Sequence, residues 1–190
     1  MKKISEPFKE VFLLKPDVYI DKRGTFSEYF VNKTLEQNVG KKISFCQGNL
    51  THSKRGVLRG LHYQLPPYSQ TKLVSVMQGK VLDIVVDIRK GSPTFGKHIS
   101  QELSAENRLQ LFISRGFAHG FITLSETSIF HYKLDEYYHP EYEGSISAND
   151  PDLGIDWKIP EADWIQSEKD KNHPTLSKAS VFDFKDDLYA

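Results

Sequence analysis

The sequence holds a single cysteine, Cys46, in a chain of 190 residues. One cysteine excludes an internal disulfide framework and a zinc knuckle built on cysteines. No apolar run approaches the roughly 20 residues that a membrane helix needs. The N-terminal MKKISEPFKE is not followed by the apolar segment of a signal peptide. We therefore expect a soluble, cytoplasmic protein with no membrane partner.

The chain also lacks net charge, because its 25 Lys and Arg residues equal its 25 Asp and Glu residues. Bulk electrostatics therefore predicts no nucleic-acid partner. The phosphate-binding patterns GxxxxGK[ST] and GxGxxG are missing, as is the GxSxG turn of hydrolases. There are no internal repeats, low-complexity tracts or obvious linkers, so we expect one domain over residues 1–190.

Short alternating segments fill most of the chain. In KVLDIVVDI (80–88) the side chains alternate with a period of two, which predicts a strand that follows a turn at Gly79. Other strands are expected over 12–20, broken by Pro16, and over 43–50, 98–103, 109–114, 118–124 and 128–134. Helical patterns are confined to 32–39, with Asn32 as N-cap and Gly40 as stop, and to 161–169. Such regular short strands indicate an antiparallel sandwich or barrel.

The stretch GVLRGLHYQLPPYSQTK (56–72) is the first candidate site. It brings Arg59, His62 and Lys72 into two strand ends that are joined by a loop with two prolines. A histidine exchanges protons near neutral pH, and two cations suit a phosphate or a developing oxyanion. Taken alone, a histidine such as His62 is more often a satisfied or exposed side chain than a catalytic one, and Arg59 and Lys72 would be ordinary surface charges.

Three further segments supply possible partners, each with a plain structural alternative. Asp83 lies on a mostly apolar strand face, which fits a barrel interior or cavity as well as an edge strand that discourages aggregation. In RGFAHGF, His119 sits at a turn into a strand, where it contacts a ligand or is an ordinary loop histidine. Tyr132 shares an inward strand face and is either core or part of a site. Lys169 and Asp170 belong to a charge run that is usually solvated.

A metal site is the first rival to acid–base chemistry at these residues. His62, His119 and a carboxylate could form the triad of two histidines and one carboxylate that barrel dioxygenases use. The close HxH pair that metal-binding barrels of this kind commonly present is missing, because position 64 is Gln64. A metal-free acid–base site therefore fits the sequence better.

The segments together match a known family, in family order over nearly the whole chain. They are DKRGTFSEYF (21–30), FCQGNL (45–50), GVLRGLHYQ (56–64), QTKLVSVMQGKVLDIVVDIRKGSPTFG (70–96), RGFAHGF (115–121), YKLDEYY (132–138), NDPDLGIDW (149–157) and SEKD (167–170). On these residues the chain resembles the dTDP-4-dehydrorhamnose 3,5-epimerases of the cupin superfamily. Each segment is weak alone, but the set is highly specific.

The resemblance implies an all-β fold, an antiparallel jelly-roll (cupin) barrel with a few short peripheral helices. It also implies a homodimer that uses no metal and no organic cofactor. The expected substrate is a nucleotide-linked 4-keto-6-deoxy hexose, with dTDP as the expected nucleotide. The expected reaction inverts C3 and C5, and it converts dTDP-4-dehydro-6-deoxy-D-glucose into dTDP-4-dehydro-L-rhamnose.

The resemblance also assigns roles to the candidate residues. His62 matches the base, Asp170 the carboxylate that orients it, Tyr132 the acid on the other face, and Lys72 the cation that stabilises the enolate. Asp83 is expected to position His62 or His119. The remaining expected substrate contacts are Arg23, Arg59, His119 and Lys169 to the diphosphate, nucleotide and sugar, and Glu28, Gln47, Asn49 and Glu143 as hydrogen-bonding groups. The aromatic side chain on the nucleotide base is expected to be Phe26, Tyr137 or Tyr138.

Two positions depart from the family pattern. Ala148 stands where an aromatic residue commonly precedes NDP, and Gly48 stands where a polar residue is frequent. Both concern substrate choice more than chemistry. They leave open an epimerase for one carbon only, or a 3,4-ketoisomerase on a related sugar nucleotide. A metal-dependent cupin and a non-catalytic sugar-nucleotide binder are the remaining alternatives.

Overall fold

The computed structural model describes residues 1–190 and consists mainly of short β-strands. The strands are β1 (Lys2–Phe8), β2 (Val11–Lys15), β3 (Val18–Asp21), β4 (Gly24–Ser27), β5 (Gln47–Lys54), β6 (Leu58–Gln64), β7 (Lys72–Gln78), β8 (Lys80–Asp87), β9 (Arg89–Lys90), β10 (His98–Ser104), β11 (Gln110–Ile113), β12 (Phe117–Thr123), β13 (Thr127–Leu134), β14 (Glu143–Ser145) and β15 (Phe182–Asp183). The α-helices are α1 (Asn32–Val39) and α2 (Glu168–Lys171), and 3-10 turns cover Pro140–Tyr142, Glu161–Asp163 and Leu176–Lys178. None of the helices has the length and apolar character needed to cross a membrane.

Two antiparallel sheets form the body of the protein. The first sheet has the strand order β1-β2-β11-β7-β13-β5, and the second has the order β10-β8-β12-β6-β14. Consecutive strands often lie in opposite sheets, as β6 and β7 do, so the chain crosses repeatedly between the layers. This arrangement confirms the predicted all-β jelly-roll. A separate hairpin, β3–β4, pairs only with itself.

Strand β8 forms where the alternation predicts a strand, and both of its faces are buried. Leu82 and Ile84 pack on the outer face of the second sheet, where the C-terminal third of the chain covers them through side chains such as Trp157. Val81 and Val85 point between the two sheets. The outer face of the first sheet is covered by α1. The molecule therefore has an inner core and two outer cores.

Most of the predicted strands are present, with shifts at the N-terminal half. The predicted strand over 12–20 is split into β2 and β3, since Pro16 and Asp17 lie in neither strand. The predicted strand over 43–50 begins later, because β5 starts at Gln47 and runs to Lys54. Strand β1 was not expected from the sequence.

Helix α1 has the predicted bounds and the predicted stop. Gly40 adopts the left-handed conformation, with φ 75°, and its backbone N–H donates to the carbonyl oxygen of Glu36. The expected N-cap was wrong, because Val31 occupies that position without a side-chain bond. Asn32 lies inside the helix, and its amide donates to the carboxylate of Glu36 at 3.0 Å.

The predicted helix over 161–169 was wrong. A 3-10 turn occupies Glu161–Asp163, and the chain then extends so that Ile165 exchanges backbone hydrogen bonds with the segment before β6. The N–H of Ile165 donates to Gly56 at 2.9 Å, and its carbonyl accepts from Leu58 at 3.0 Å. Helix α2 starts only after Ser167. Pairing with a distant segment outweighed local helix propensity here.

Candidate active site

A cavity of about 960 Å³ opens between the two sheets. Strands β5, β7 and β13 of the first sheet, strands β6, β12 and β14 of the second, and α2 all contribute to its wall. Most of the side chains that the sequence singled out line this one cavity: Gln47, Asn49, Arg59, His62, Lys72, His119, Tyr132, Tyr138, Glu143, Lys169 and Asp170.

His62 and Asp170 form a hydrogen-bonded pair on the cavity wall. Strand β6 carries His62 and α2 carries Asp170, and the His62 Nε2 to Asp170 Oδ1 distance is 2.9 Å. The Ser167 hydroxyl caps α2 by accepting the N–H of Asp170 at 3.1 Å. The side chain of His62 is 32% exposed, whereas that of Asp170 is 8% exposed. The reading of this charge run as a solvated surface is therefore wrong for Asp170.

The position of the proton in this pair follows from the charge on Asp170. Burial raises the pKa of the Asp170 carboxyl, but the hydrogen bond and charge of His62 outweigh it, so the pKa lies below its ordinary value. An ionised carboxylate only accepts hydrogen bonds, so His62 carries a proton on Nε2. In the neutral form of His62, the free lone pair is then on Nδ1.

A second histidine, His173, belongs to this cluster and was missed from the sequence. Its ring centroid is 5.2 Å from that of His62, and the two rings meet edge to face. Its Nε2 is 3.5 Å from Asp170 Oδ1, and its side chain is 4% exposed. The available signal was the spacing in SEKDKNHP, where His173 stands three residues after Asp170.

Lys72 is a buried cation at the start of β7. Its Nζ donates to the backbone carbonyl of His62 at 3.1 Å. Burial lowers its pKa to about 8, against the opposing charges of Asp83 and Glu143. Lys72 therefore carries its charge next to the His62 backbone at neutral pH and loses it in mildly alkaline solution.

His119 and Asp83 form a second pair, which is buried except where His119 meets the cavity. His119 Nε2 lies 2.9 Å and 3.0 Å from the two carboxylate oxygens of Asp83. Burial lowers the pKa of His119, so a neutral imidazole donates to Asp83. Asp83 lies in β8, between β10 and β12, so the edge-strand reading is wrong. Of the two histidines expected as its partner, Asp83 contacts His119.

His119 lies within β12, inside the strand predicted over 118–124 and not at the turn expected from its flanking glycines. Gly120 instead allows the neighbouring strand β6 to lie close to β12. A Cβ at Gly120 would lie 2.7 Å from the carbonyl oxygen of Arg59 and 3.1 Å from Cα of Gly60. Both glycines let β6 and β12 come close beside the two histidines.

Tyr132 faces the cavity from the first sheet, opposite the sheet that carries His62. It lies on the same face of β13 as Phe130, and their ring centroids are 6.1 Å apart. Tyr132 is partly buried against the inner core and lines the cavity. It is therefore a wall residue of the cavity and not only a core residue.

Polar side chains at the cavity wall form an ion pair and hydrogen bonds with one another. Lys169 forms an ion pair with Glu143, and the Tyr138 hydroxyl donates to the same carboxylate at 2.6 Å. These two partners outweigh burial, so the pKa of Glu143 is lowered. The Gln47 amide donates to Asn49 at 3.2 Å. Gln47, Asn49 and this carboxylate offer both donors and acceptors to a ligand.

The two departures from the family pattern have different surroundings. Gly48 is part of the cavity wall, and a Cβ there would meet nothing within 4 Å. Ala148 lies in the outer core of the second sheet and does not line the cavity. Ala148 therefore does not alter the cavity wall directly.

Arg23, Phe26 and Glu28 lie away from this cavity, on or just after the β3–β4 hairpin. Arg23 pairs with Asp21 through the guanidinium, at 2.6 Å in the shortest contact. Phe26 is 66% exposed, and its neighbours on the hairpin, Tyr19 and Ile20, are also exposed. Glu28 is exposed as well. Within one chain, these three residues do not line the cavity with the other predicted site residues.

The metal triad considered from the sequence is not assembled as expected. His119 is held by Asp83, and the only three side chains with metal-ligand atoms close together are His62, Asp170 and His173. Their ligand atoms lie within 4.8 Å of one another.

Comparison with known proteins gives one consistent result. A family model described as dTDP-4-dehydrorhamnose 3,5-epimerase matches residues 5–178. The enzyme of that name from Salmonella typhimurium is 47% identical over 176 residues, which cover 93% of this chain and 96% of the relative.

Two solved structures of such proteins have the same fold. The dTDP-4-dehydrorhamnose 3,5-epimerase from Elizabethkingia anophelis is 51% identical, with a TM-score of 0.89 over 93% of this chain and 97% of that one. A dTDP-6-deoxy-D-glucose-3,5-epimerase from Legionella pneumophila, in complex with dTDP-4-keto-L-rhamnose, is 43% identical. Its TM-score is 0.92, over 97% of this chain and 99% of that one.

Proposed function

The chain belongs to the dTDP-4-dehydrorhamnose 3,5-epimerase family, and from this premise we propose how its own residues carry out the reaction. As a member of that family it is an isomerase that inverts C3 and C5 of dTDP-4-dehydro-6-deoxy-D-glucose and yields dTDP-4-dehydro-L-rhamnose. One observation carries the proposed residue roles. The His62–Asp170 pair and Tyr132 face the same cavity from opposite sheets.

Proton transfer through an enolate explains why two such groups are needed. The 4-ketone acidifies the hydrogens on C3 and C5. The lone pair on His62 Nδ1 takes one of these protons, and the electron pair of the broken C–H bond moves to O4 as an enolate. Tyr132 then donates its phenolic proton to the same carbon from the other face, and the ketone re-forms. Proton exchange with water returns both side chains to their starting states before the second carbon reacts.

Asp170 and Lys72 support these two steps electrostatically. The Asp170 carboxylate accepts the Nε2 proton of His62 and stabilises the imidazolium that forms. Lys72 supplies positive charge near the enolate oxygen, and its low pKa results from burial at the site. The His119–Asp83 pair holds a neutral imidazole in the wall, with its Nε2–H donated to Asp83 and its Nδ1 lone pair left as an acceptor for the substrate.

Nucleotide and sugar binding is assigned to the other side chains of the wall. The cavity of about 960 Å³ has the size of a pocket for a large small-molecule ligand. Arg59 and Lys169 provide cations for the diphosphate. The remaining proposed contacts are Gln47, Asn49, His119, Tyr138 and Glu143, all of which line the cavity.

A homodimer accounts for the expected contacts that lie outside the cavity. The β3–β4 hairpin exposes Tyr19, Ile20 and Phe26 together, which is unusual for a surface that stays in water. In the proposed dimer this hairpin reaches the cavity of the second copy. Arg23, Phe26 and Glu28 then contact the nucleotide that the partner binds.

Subunit complementation tests this arrangement. Arg23→Ala weakens nucleotide binding, and His62→Asn removes the base, so each protein alone is impaired. In a mixed dimer, the chain with Arg23→Ala keeps His62 and receives Arg23 from its partner, which restores one complete site. Mixing the two after reversible dissociation should raise the activity above the sum of both. No gain in a confirmed mixed dimer would refute a hairpin that serves the partner.

Deuterium exchange tests the reaction and separates it from its alternatives. The protein is incubated with dTDP-4-keto-6-deoxyglucose in deuterated water, and incorporation at C3 and C5 is followed by NMR. Incorporation at both carbons with the L-rhamno product supports the 3,5-epimerase. Incorporation at one carbon only identifies a mono-epimerase, and a 3-keto product identifies a ketoisomerase.

We place the reaction in the cytoplasm, where a chain with one cysteine fits.

A further inference from the structure

His173 is the one residue of the His62 cluster that the proposed reaction does not use. Its side chain is 4% exposed, yet neither ring nitrogen has a hydrogen-bond partner. Buried polar atoms without partners are uncommon in folded proteins, and each one calls for a reason. Here the ring lies against His62, and its Nε2 is 3.5 Å from the Asp170 carboxylate, too far for a good hydrogen bond.

These three side chains are a ligand set for a transition-metal ion. Two imidazoles and one carboxylate suit Zn²⁺ and related divalent ions. Ligand atoms about 2.1 Å from a tetrahedral ion lie about 3.4 Å from one another. The Nε2 atoms of His62 and His173 are 2.9 Å and 3.5 Å from Asp170 Oδ1. All the ligand atoms of the set lie within 4.8 Å, so only small side-chain shifts would close the triangle.

An ion has a route to this triangle. The side chain of His62 is 32% exposed, and both His62 and Asp170 line the cavity. His173 closes the set from behind, where burial keeps water away from the third ligand. The cavity therefore leads directly to the set.

We propose that His62, Asp170 and His173 form a binding site for a divalent transition-metal ion, namely Zn²⁺. We also propose that the bound ion inhibits the enzyme. An ion bound at His62 Nε2 leaves the imidazole proton on Nδ1, so the Nδ1 lone pair that the reaction needs is lost, and the ion also neutralises the Asp170 charge. Binding does not depend on the proposed reaction. Inhibition rests on the proposed role of His62 as the base.

Calorimetric titration of the untagged protein with Zn²⁺ tests the binding. His173→Asn removes one ligand, and His52→Asn is the matched control, because His52 is exposed and lies outside the cavity. We expect one Zn²⁺ per chain in the wild type and the control. Binding should be at least about tenfold weaker in His173→Asn, since even the loss of a residue that only hydrogen-bonds to a metal ligand costs about 10–100-fold in affinity. Equal affinity in all three proteins overturns the proposed site.

Two further measurements keep the result independent of the folding of that variant. In the ¹⁵N-labelled wild type, Zn²⁺ should shift the side-chain signals of His62 and His173 and leave those of His52 in place. The reverse pattern overturns the site. The wild-type epimerisation rate should fall on addition of Zn²⁺ and recover with chelator.

The activity measurements distinguish inhibition by Zn²⁺ from binding without effect and from a metal-dependent reaction. Saturating Zn²⁺ without loss of rate overturns the inhibition. If chelator instead abolishes the activity and Zn²⁺ restores it, both the inhibition and the metal-free acid–base reaction are wrong. If no exchange at C3 or C5 occurs in metal-free protein, the proposed reaction fails, while the titration and NMR results still decide the metal site.

Discussion

Replacing Asp170 by Asn changes the charge behind the proposed base and very little else. The side chains have nearly the same shape, and the α2 cap uses the Asp170 backbone rather than its carboxylate. The contact that changes is the 2.9 Å hydrogen bond with His62. We therefore expect the fold to persist and the reaction to slow.

The size of the effect follows from that contact. A hydrogen bond to a charged group contributes roughly 1.5–3 kcal/mol, and about 1.4 kcal/mol corresponds to a factor of ten in rate. Loss of the charge alone therefore lowers kcat by about 10–100-fold. An asparagine amide that donates to Nε2 also forces the proton onto Nδ1, and such a tautomer change extends the loss toward about 10⁴-fold.

The assay is deuterium incorporation at C3 and C5 together with product formation. Glu168→Gln is the matched control, because it makes the same chemical change in the same helix at an exposed side chain that pairs only with Lys171. We expect the control to keep the wild-type rate and Asp170→Asn to lose at least tenfold at both carbons. A rate within about threefold of the wild type would refute the role of Asp170.

Three further changes have distinct expected results. Lys72 is charged below its pKa of about 8 and neutral above it, so kcat/KM should fall as the pH rises through that value. Lys72→Arg should move this fall to higher pH, and a fall that stays in place assigns it to another group. Tyr132→Phe should reduce the rate of inversion by about 10²–10⁴-fold. Deuterium should still enter the unconverted substrate, because the base and its lone pair remain. An unchanged rate of inversion contradicts the acid role. Gly79→Ala places a Cβ against the carbonyl oxygen of Thr127 at φ +73°. The free energy of unfolding in urea should therefore fall by about 1–3 kcal/mol, and an unchanged midpoint contradicts this.

The fold was predictable where local pattern and tertiary packing agree. In β8, period-two alternation and burial on both faces come from the same residues, Leu82 and Ile84 on one side and Val81 and Val85 on the other. The prediction failed over 161–169, because Ile165 pairs with the backbone at Gly56. Such pairing depends on a partner about a hundred residues away, which local propensity does not register.

The candidate site was predictable from motifs but not from single residues. His62, Lys72 and Asp170 came from the family pattern, and the structure brings them to one cavity. His173 was missed, since its meaning arises only when α2 packs against β6. The placement of Phe26 on an isolated hairpin could not be read from the sequence either, because exposure depends on what the hairpin packs against.

Deuterium exchange with His62→Asn tests the central claim most directly, namely that one imidazole on the cavity wall removes the protons at both carbons. An asparagine keeps a polar side chain at this position but has no basic lone pair. We predict that incorporation at C3 and at C5 both fall by at least about 10²-fold relative to the wild type, with binding of dTDP largely retained. Exchange at the wild-type rate at either carbon in this variant would show that another group acts as the base.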